Sequence, residues 1–149
     1  SRRHTPACRW SPGRYILPAD FQEQMTLDKC RFYSQKYPEN TLIALDDAKV
    51  VGFGSYGDFR DPARIAGEIF ALYVLKDYYG KGVGQQLMQA AFAALYGYQE
   101  IILWVLEDNK RAIAFYEKMG FVFDGQEKVI DLGKAVKEKR MIYIRNSNT

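Results

Sequence analysis

LYVLKDYYGKGVGQQLM, residues 72–88, places three glycines within five positions, between an apolar run and a segment with helical patterning. Glycine inside a helix costs about 0.5–1 kcal/mol relative to alanine, so Gly80, Gly82 and Gly84 need a reason to be there. Upstream, EIFALYVL at 68–75 reads as a buried strand. Downstream, GVGQQLMQAAFAALYGY sets Val83, Leu87, Ala90, Ala91, Ala94 and Leu95 along one face of a helix that Gly97 closes. The glycines therefore stand where a strand hands over to a helix N-terminus. There the first N–H groups lack partners, the helix dipole is positive, and a backbone without side chains lets a ligand approach, so the junction suits an anion. Two nucleotide motifs are excluded by residue type. GxxxxGK followed by Ser or Thr fails because Lys81 lies between glycines, with Gln85 and Gln86 behind it and no hydroxyl for a magnesium ion. GxGxxG fails because Leu87 stands three residues after Gly84 and Gln85 three after Gly82. A tight turn without a ligand is the alternative.

Outward from this junction, TLIALDDAKVVGFGSYGD at 41–58 gives two β-rich runs around a polar Asp46–Lys49 turn, the pattern of a hairpin. DFRDPARIAG at 58–67 contains Pro62 and Gly67 and is expected to be a loop. EIILWVL at 100–106 is a second strand, and EDNKRAIAFYEKMGF carries a helix from an Asn109 cap to a Gly120 stop. FVFDGQEKVIDL and RMIYIR read as closing strands around a Lys-rich loop. The strand, helix, strand succession over 68–106 predicts a right-handed crossover between parallel neighbours with hairpin strands on either side, hence a mixed α/β sheet. Between Pro18 and Tyr37 the apolar spacing is helical, and Pro38 ends it. Residues 1–14, SRRHTPACRWSPGR, show neither period and are expected to form an irregular arm.

A chain of 149 residues is about the size of a single domain, taken here as 1–149. Its net charge of +3 is spread out rather than gathered into a basic stripe with interleaved aromatics, which argues against nucleic acid. No apolar run approaches the ~18 residues of a membrane span, and the Arg-rich start lacks a secretory apolar stretch, so a cytoplasmic protein is expected. Cys8 and Cys30 are read as free thiols, and no CxxC or His/Cys cluster implies a metal. His4, the only histidine, sits in the irregular arm, which disfavours a nucleophile and histidine mechanism.

The chain resembles the GCN5-related N-acetyltransferase superfamily. That family's pyrophosphate loop, Q/R x x G x G/A after a strand ending in an LYV-like triplet, is matched by LYV at 72–74 and YGKGVG at 79–84, with Tyr79 at the position usually held by Gln or Arg. NKRAIAFYEKMGF at 109–121 is similar to a later motif, in which an Asn opens a helix and an FY pair precedes Gly and Phe. The resemblance runs from about Thr41 to Ile144. It implies a mostly antiparallel central sheet with a parallel strand pair splayed around an acyl-CoA site. Members normally begin with a strand and helix, and here the first strand is expected to be missing or degenerate.

The resemblance also implies a chemistry: acetyl transfer from acetyl-CoA to an amine that itself attacks the thioester, with no protein nucleophile. Leu72, Tyr73 and Val74 would meet the pantetheine arm. Tyr79, Gly80, Lys81, Gly82, Val83, Gly84 and Gln85 would wrap the diphosphate, and Asn109 would both cap its helix and touch the coenzyme. Tyr116 would protonate the leaving thiolate. Glu68, opening its strand near solvent or partly buried, would be the general base. The acceptor, a small-molecule amine or a protein amine, is not fixed. Lys134, Lys137, Lys139 and Arg140 disfavour a polycation on their side of the last loop. A homodimer is open, since dimers are frequent in the family. A non-catalytic acyl-CoA-binding module and a purely structural domain remain the rival readings.

Overall fold

A computed structural model of the chain describes residues 8–11, 14–18, 40–131 and 133–145. The chain forms two compact units, one of Ser1–Gly57 with Ile69–Tyr96, the other of Asp58–Glu68 with Gly97–Thr149.

In the first unit the strands run β1 (Cys8–Ser11), β2 (Arg14–Pro18), β3 (Thr41–Asp46), β4 (Lys49–Asp58) and β5 (Gly67–Val74), adjacent in that order. The pairs β1–β2, β2–β3 and β3–β4 are antiparallel. The β3–β4 hairpin closes at the polar turn as its sequence predicts, with Asp46 opposite Lys49. Residues 8–11 and Arg14 fall in the 1–14 stretch expected to be an irregular arm, yet 8–11 and 14–18 form two strands, and Arg14–Pro18 pairs residue by residue with Asp46–Leu42. Ladder hydrogen bonds to β3 join backbone groups and need no side-chain alternation. Two strands are therefore present at the N-terminal side, where the first strand is expected to be missing or degenerate.

β5 leads through a 3₁₀ turn (Lys76–Tyr78) into α1 (Val83–Ala94). Helix α1 buries Val83, Leu87, Met88 and Ala91, with Leu95 just beyond, a stripe at helical spacing that explains why these residues form a helix against the sheet. Its seat is Gly52 on β4. A Cβ there would stand 2.7 Å from the Tyr73 carbonyl oxygen and 3.2 and 3.3 Å from Leu87 Cδ1 and Val83 Cγ1. Gly52→Ala is accordingly expected to destabilise the protein by about 1–3 kcal/mol through overpacking. Gly97→Ala, where a Cβ meets nothing within 4 Å, is the control. Thermal unfolding of the two variants checks this, and equal midpoints would refute the close packing.

In the second unit β6 (Glu100–Leu106), β8 (Ala135–Ile144) and β7 (Val122–Asp131) are adjacent in that order and antiparallel. Helix α2 (Lys110–Lys118) starts at Asn109, whose side chain accepts from the Ala112 N–H at 3.1 Å, and stops at Gly120, φ +105°. Register sets Ile102 opposite Ile142 and Trp104 opposite Arg140, so these four share one face. On that face Ala66, Ile102 and Ile142 pack with Phe59. The other face carries Tyr143, whose ring meets Phe121 at 5.7 Å, while Phe121 meets Tyr116 of α2 at 6.0 Å.

The helical spacing expected between Pro18 and Tyr37, the His4 and Cys30 positions and the Cys8 side chain lie outside the described residues, apart from Pro18, which ends β2. Among the described residues no helix is long and apolar enough to cross a membrane, and no three His, Cys, Asp or Glu side chains are grouped to hold a metal.

Candidate active site

The first unit carries the glycine junction. Gly80 and Gly82 adopt φ of +74° and +86°, which L side chains rarely tolerate, and a Cβ on either would meet nothing within 4 Å. The main chain here borders open space. Gly82 is the N-cap of α1 and supplies no side-chain cap. The N–H groups of Tyr79 and Lys81 are used, bonding the carbonyls of Lys76 at 3.1 Å and Tyr78 at 3.3 Å. Those of Gly80, Gly82, Val83, Gly84 and Gln85 find no acceptor among the described residues. Five unclaimed donors at a positive helix end, in a loop kept bare by glycine, fit a diphosphate. Val83 is buried and pins the start of the helix, while Lys81 on the loop and Gln85 in the first turn of α1 are exposed. Tyr79 is 41% exposed, so the aromatic at the family's Gln/Arg position lies outside the core. Leu72, Tyr73 and Val74 are each partly buried along the end of β5.

A neighbour that the sequence did not single out holds this loop. The Tyr78 hydroxyl donates to Asp46 Oδ2 at 2.8 Å, and the Arg14 and Lys49 cations lie 5.7 and 5.5 Å from its ring centre. The hydrogen bond to Asp46 pushes the Tyr78 phenol up. The residue just before the cradle is thereby tied to the β3–β4 turn. No spacing in the chain reveals a bond between positions 46 and 78, because it depends on which turn the strand order brings to the loop.

The second unit carries Asn109, Tyr116 and Glu68. Asn109 caps α2, as its position predicts. Tyr116 packs edge-on between Phe115 and Phe121, with ring centroids 5.6 and 6.0 Å away. Burial pushes its phenol up to about 12. Its hydroxyl makes no hydrogen bond with the described residues, and no side-chain polar atom among them is sealed from solvent without a partner. The group is thus a phenol that stays protonated at neutral pH, its ring fixed and its donor unspent.

Glu68 is expected near solvent or partly buried, but it is 1% exposed and paired with Arg60. Arg60 grips it with Nε to Oε1 at 3.2 Å and Nη2 to Oε2 at 2.7 Å, and the Arg60 N–H also reaches Oε1 at 3.3 Å. Arg60 lies eight residues upstream across a Pro-containing loop, so nothing local announces the pair. A carboxylate held on both oxygens is first an anchor for the 59–66 loop. We expect Glu68→Gln to lower stability by about 1–3 kcal/mol, because a buried acceptor site loses its charged partner. Chemical denaturation reads this directly. A Glu68→Gln variant as stable as the parent would show that the pair is dispensable to the fold.

The sequence profile described as the acetyltransferase (GNAT) family matches residues 7–121. N-alpha-acetyltransferase 30 of Schizosaccharomyces pombe is 30% identical over 109 residues, 71% of this chain and 73% of that protein. The spermine/spermidine N(1)-acetyltransferase of Bacillus subtilis strain 168 is 31% identical over 112 residues, 60% of this chain and 74% of that protein. Among solved structures, a Bacillus anthracis str. Ames protein in complex with acetyl coenzyme A superposes with a TM-score of 0.60 at 25% identity, covering 71% of this chain and 62% of that one. Both the glycine loop and the α2 motif fall inside the matched span. The chain belongs to the acetyltransferase (GNAT) family.

Proposed function

We propose that this chain is an N-acetyltransferase that moves the acetyl group of acetyl-CoA to an amine by direct attack. The observation that carries the reading is the row of five unclaimed N–H groups from Gly80 to Gln85, a cradle for the coenzyme's diphosphate. Relatives named as N-acetyltransferases and a coenzyme-bound neighbour support it.

Acetyl-CoA supplies an activated thioester carbonyl; the rest is done by the chain. The backbone of Leu72, Tyr73 and Val74 holds the pantetheine arm, Tyr79 to Gln85 hold the diphosphate with Lys81 adding charge, and Asn109 contacts the coenzyme beside its capping role. The amine nitrogen forms a bond to the carbonyl carbon as the carbon–sulfur bond breaks. The amine's proton leaves through water, with Glu68 as its acceptor when a water reaches the lone pairs that Arg60 leaves. The Tyr116 hydroxyl meets the departing sulfur as its general acid, and the thiolate takes its final proton from that hydroxyl or, through it, from water. A phenol at about 12 gives up its proton to a thiolate, whose thiol sits near ~8.5, only at a cost of several kcal/mol. Tyr116 therefore acts chiefly by donating a hydrogen bond while charge develops on sulfur. Strands β1 and β2 weigh against the non-catalytic reading, in which a damaged N-terminus leaves no acceptor pocket.

The test is thermal unfolding with acetyl-CoA, then thiol release over a panel of amines. Coenzyme at about 100 times its dissociation constant is expected to raise the midpoint by roughly 5–10 °C. No shift at millimolar coenzyme overturns the proposal. A shift with no thiol release for any amine, small or protein N-terminal, reduces it to coenzyme binding.

A further inference from the structure

Arg140 is the least expected side chain of the second unit. It lies on β8 with its side chain only 16% exposed, near the rings of Trp104 and Phe59, whose centroids are 5.8 and 5.9 Å from its guanidinium carbon. Asp124, also 16% exposed, accepts from Arg140 Nε at 2.7 Å through Oδ2, and its other oxygen accepts the Gln126 N–H at 3.1 Å. The carboxylate is thus spent, and it grips the guanidinium on one nitrogen only. Nη1 and Nη2 meet no acceptor among the described residues, yet neither is shut away from solvent. Four N–H groups are left in the planar fork that matches a carboxylate bidentately.

The surroundings hold that fork still. Asp124 sits where the β7–β8 register shifts between Phe123 and Glu127, with Gly125 at φ +90°, an irregularity of the kind that re-aims a side chain. Lys128 adds a second cation 4.1 Å from the Trp104 ring centre, partly balanced by Glu138 at 3.7 Å. A structural arginine normally spends its donors on carbonyls or carboxylates of its own protein; this one is oriented, lies near two aromatic rings and keeps four of its five N–H donors. Phe59 connects it to the chemistry proposed above. That residue packs on Ile102 and Ile142 of the same face, and its chain neighbour Arg60 holds Glu68.

We propose that Arg140 anchors a carboxylate of the acceptor, which makes the acceptor a small amino carboxylate, such as an amino acid, and not a polyamine. The inference rests on the acetyltransferase reading and names its substrate class. Trp104 and Phe59 lie beside the guanidinium, and Asp124 positions it without touching the acceptor.

The whole chain is assayed for thiol release with acetyl-CoA against L-amino acids, the matching amino-acid carboxamides and spermidine. The expected result is a kcat/KM at least about tenfold higher for the carboxylates than for their carboxamides. In Arg140→Gln the two classes converge. Because Arg140→Gln also leaves Asp124 unpaired, Arg140→Lys is measured beside it; it keeps the charge for Asp124 but loses the fork, and the preference falls there as well. Carboxamides or spermidine used as well as the carboxylates, or a preference that survives both variants, overturns the proposal. If no amine is turned over, the acetyl-transfer reading fails by itself, and thermal unfolding with the amino acids in the presence of coenzyme A decides this one. A stabilisation lost in both Arg140 variants supports the anchor, and no stabilisation by any carboxylate refutes it.

Discussion

Replacing Tyr116 with phenylalanine is expected to lower kcat by about 10²- to 10³-fold while the KM for acetyl-CoA changes little, because the substitution removes a donor needed only as the sulfur becomes negative. The variant is suited to the question. The ring's packing between Phe115 and Phe121 is kept, and the hydroxyl gives up no hydrogen bond to the described residues, so the fold should be untouched. Steady-state thiol release separates the two parameters. A fall in kcat of less than about threefold would remove Tyr116 from the chemistry and return it to the role of a packed helix aromatic. The same substitution has a pH signature. Burial raises the phenol from 10.0 in the unfolded chain to about 12 in the fold, so stability present below pH 10.0 is lost as pH rises towards about 12. Tyr116→Phe should flatten that part of the alkaline stability curve.

Gly82→Val is expected to weaken coenzyme binding at least about tenfold, the equivalent of about 1.4 kcal/mol. Two causes act together. A β-branched residue resists φ near the +86° of Gly82, at a cost of roughly 1–2 kcal/mol, and its methyl groups enter the space that the loop leaves open. Either the first turn of α1 shifts, moving the donors, or the diphosphate is pushed from them. Gly133→Ala provides the comparison, since Gly133 also has positive φ, +88°, and open surroundings but lies on the β7–β8 turn. It should lose stability and keep its calorimetric affinity for coenzyme A. Equal affinities for Gly82→Val and the parent would mean that the glycine loop is a turn and nothing more.

The parts of the molecule that the sequence announces are those whose signals are local. Asn109 and Gly120 bracket α2 because capping and a positive φ are decided within four residues. The β3–β4 hairpin follows from a polar pair between two β-branched runs, and the start of α1 from glycines next to a helical stripe. Glu68 is legible as a strand carboxylate but its setting is not, since its burial depends on Arg60 folding back over a loop that carries no periodic pattern. Strands β1 and β2 are not legible for a related reason: their pairing is made by backbone groups and needs no side-chain alternation.

Sequence alone determined that a bare main chain meets a helix N-terminus at residues 80–84, because glycine's missing Cβ and the unpaired first turn are properties of the chain itself. It also determined that a tyrosine follows a capped helix start by seven positions. Only the tertiary structure decided what those groups face: that five N–H groups find no acceptor among the described residues, that Asp46 steadies Tyr78, and that Asp124 takes only the Nε of Arg140 beside Trp104 and Phe59. The reason is range. Caps and turns are settled by neighbours along the chain, whereas a charge is paired or spared by strand register, which joins residues tens of positions apart.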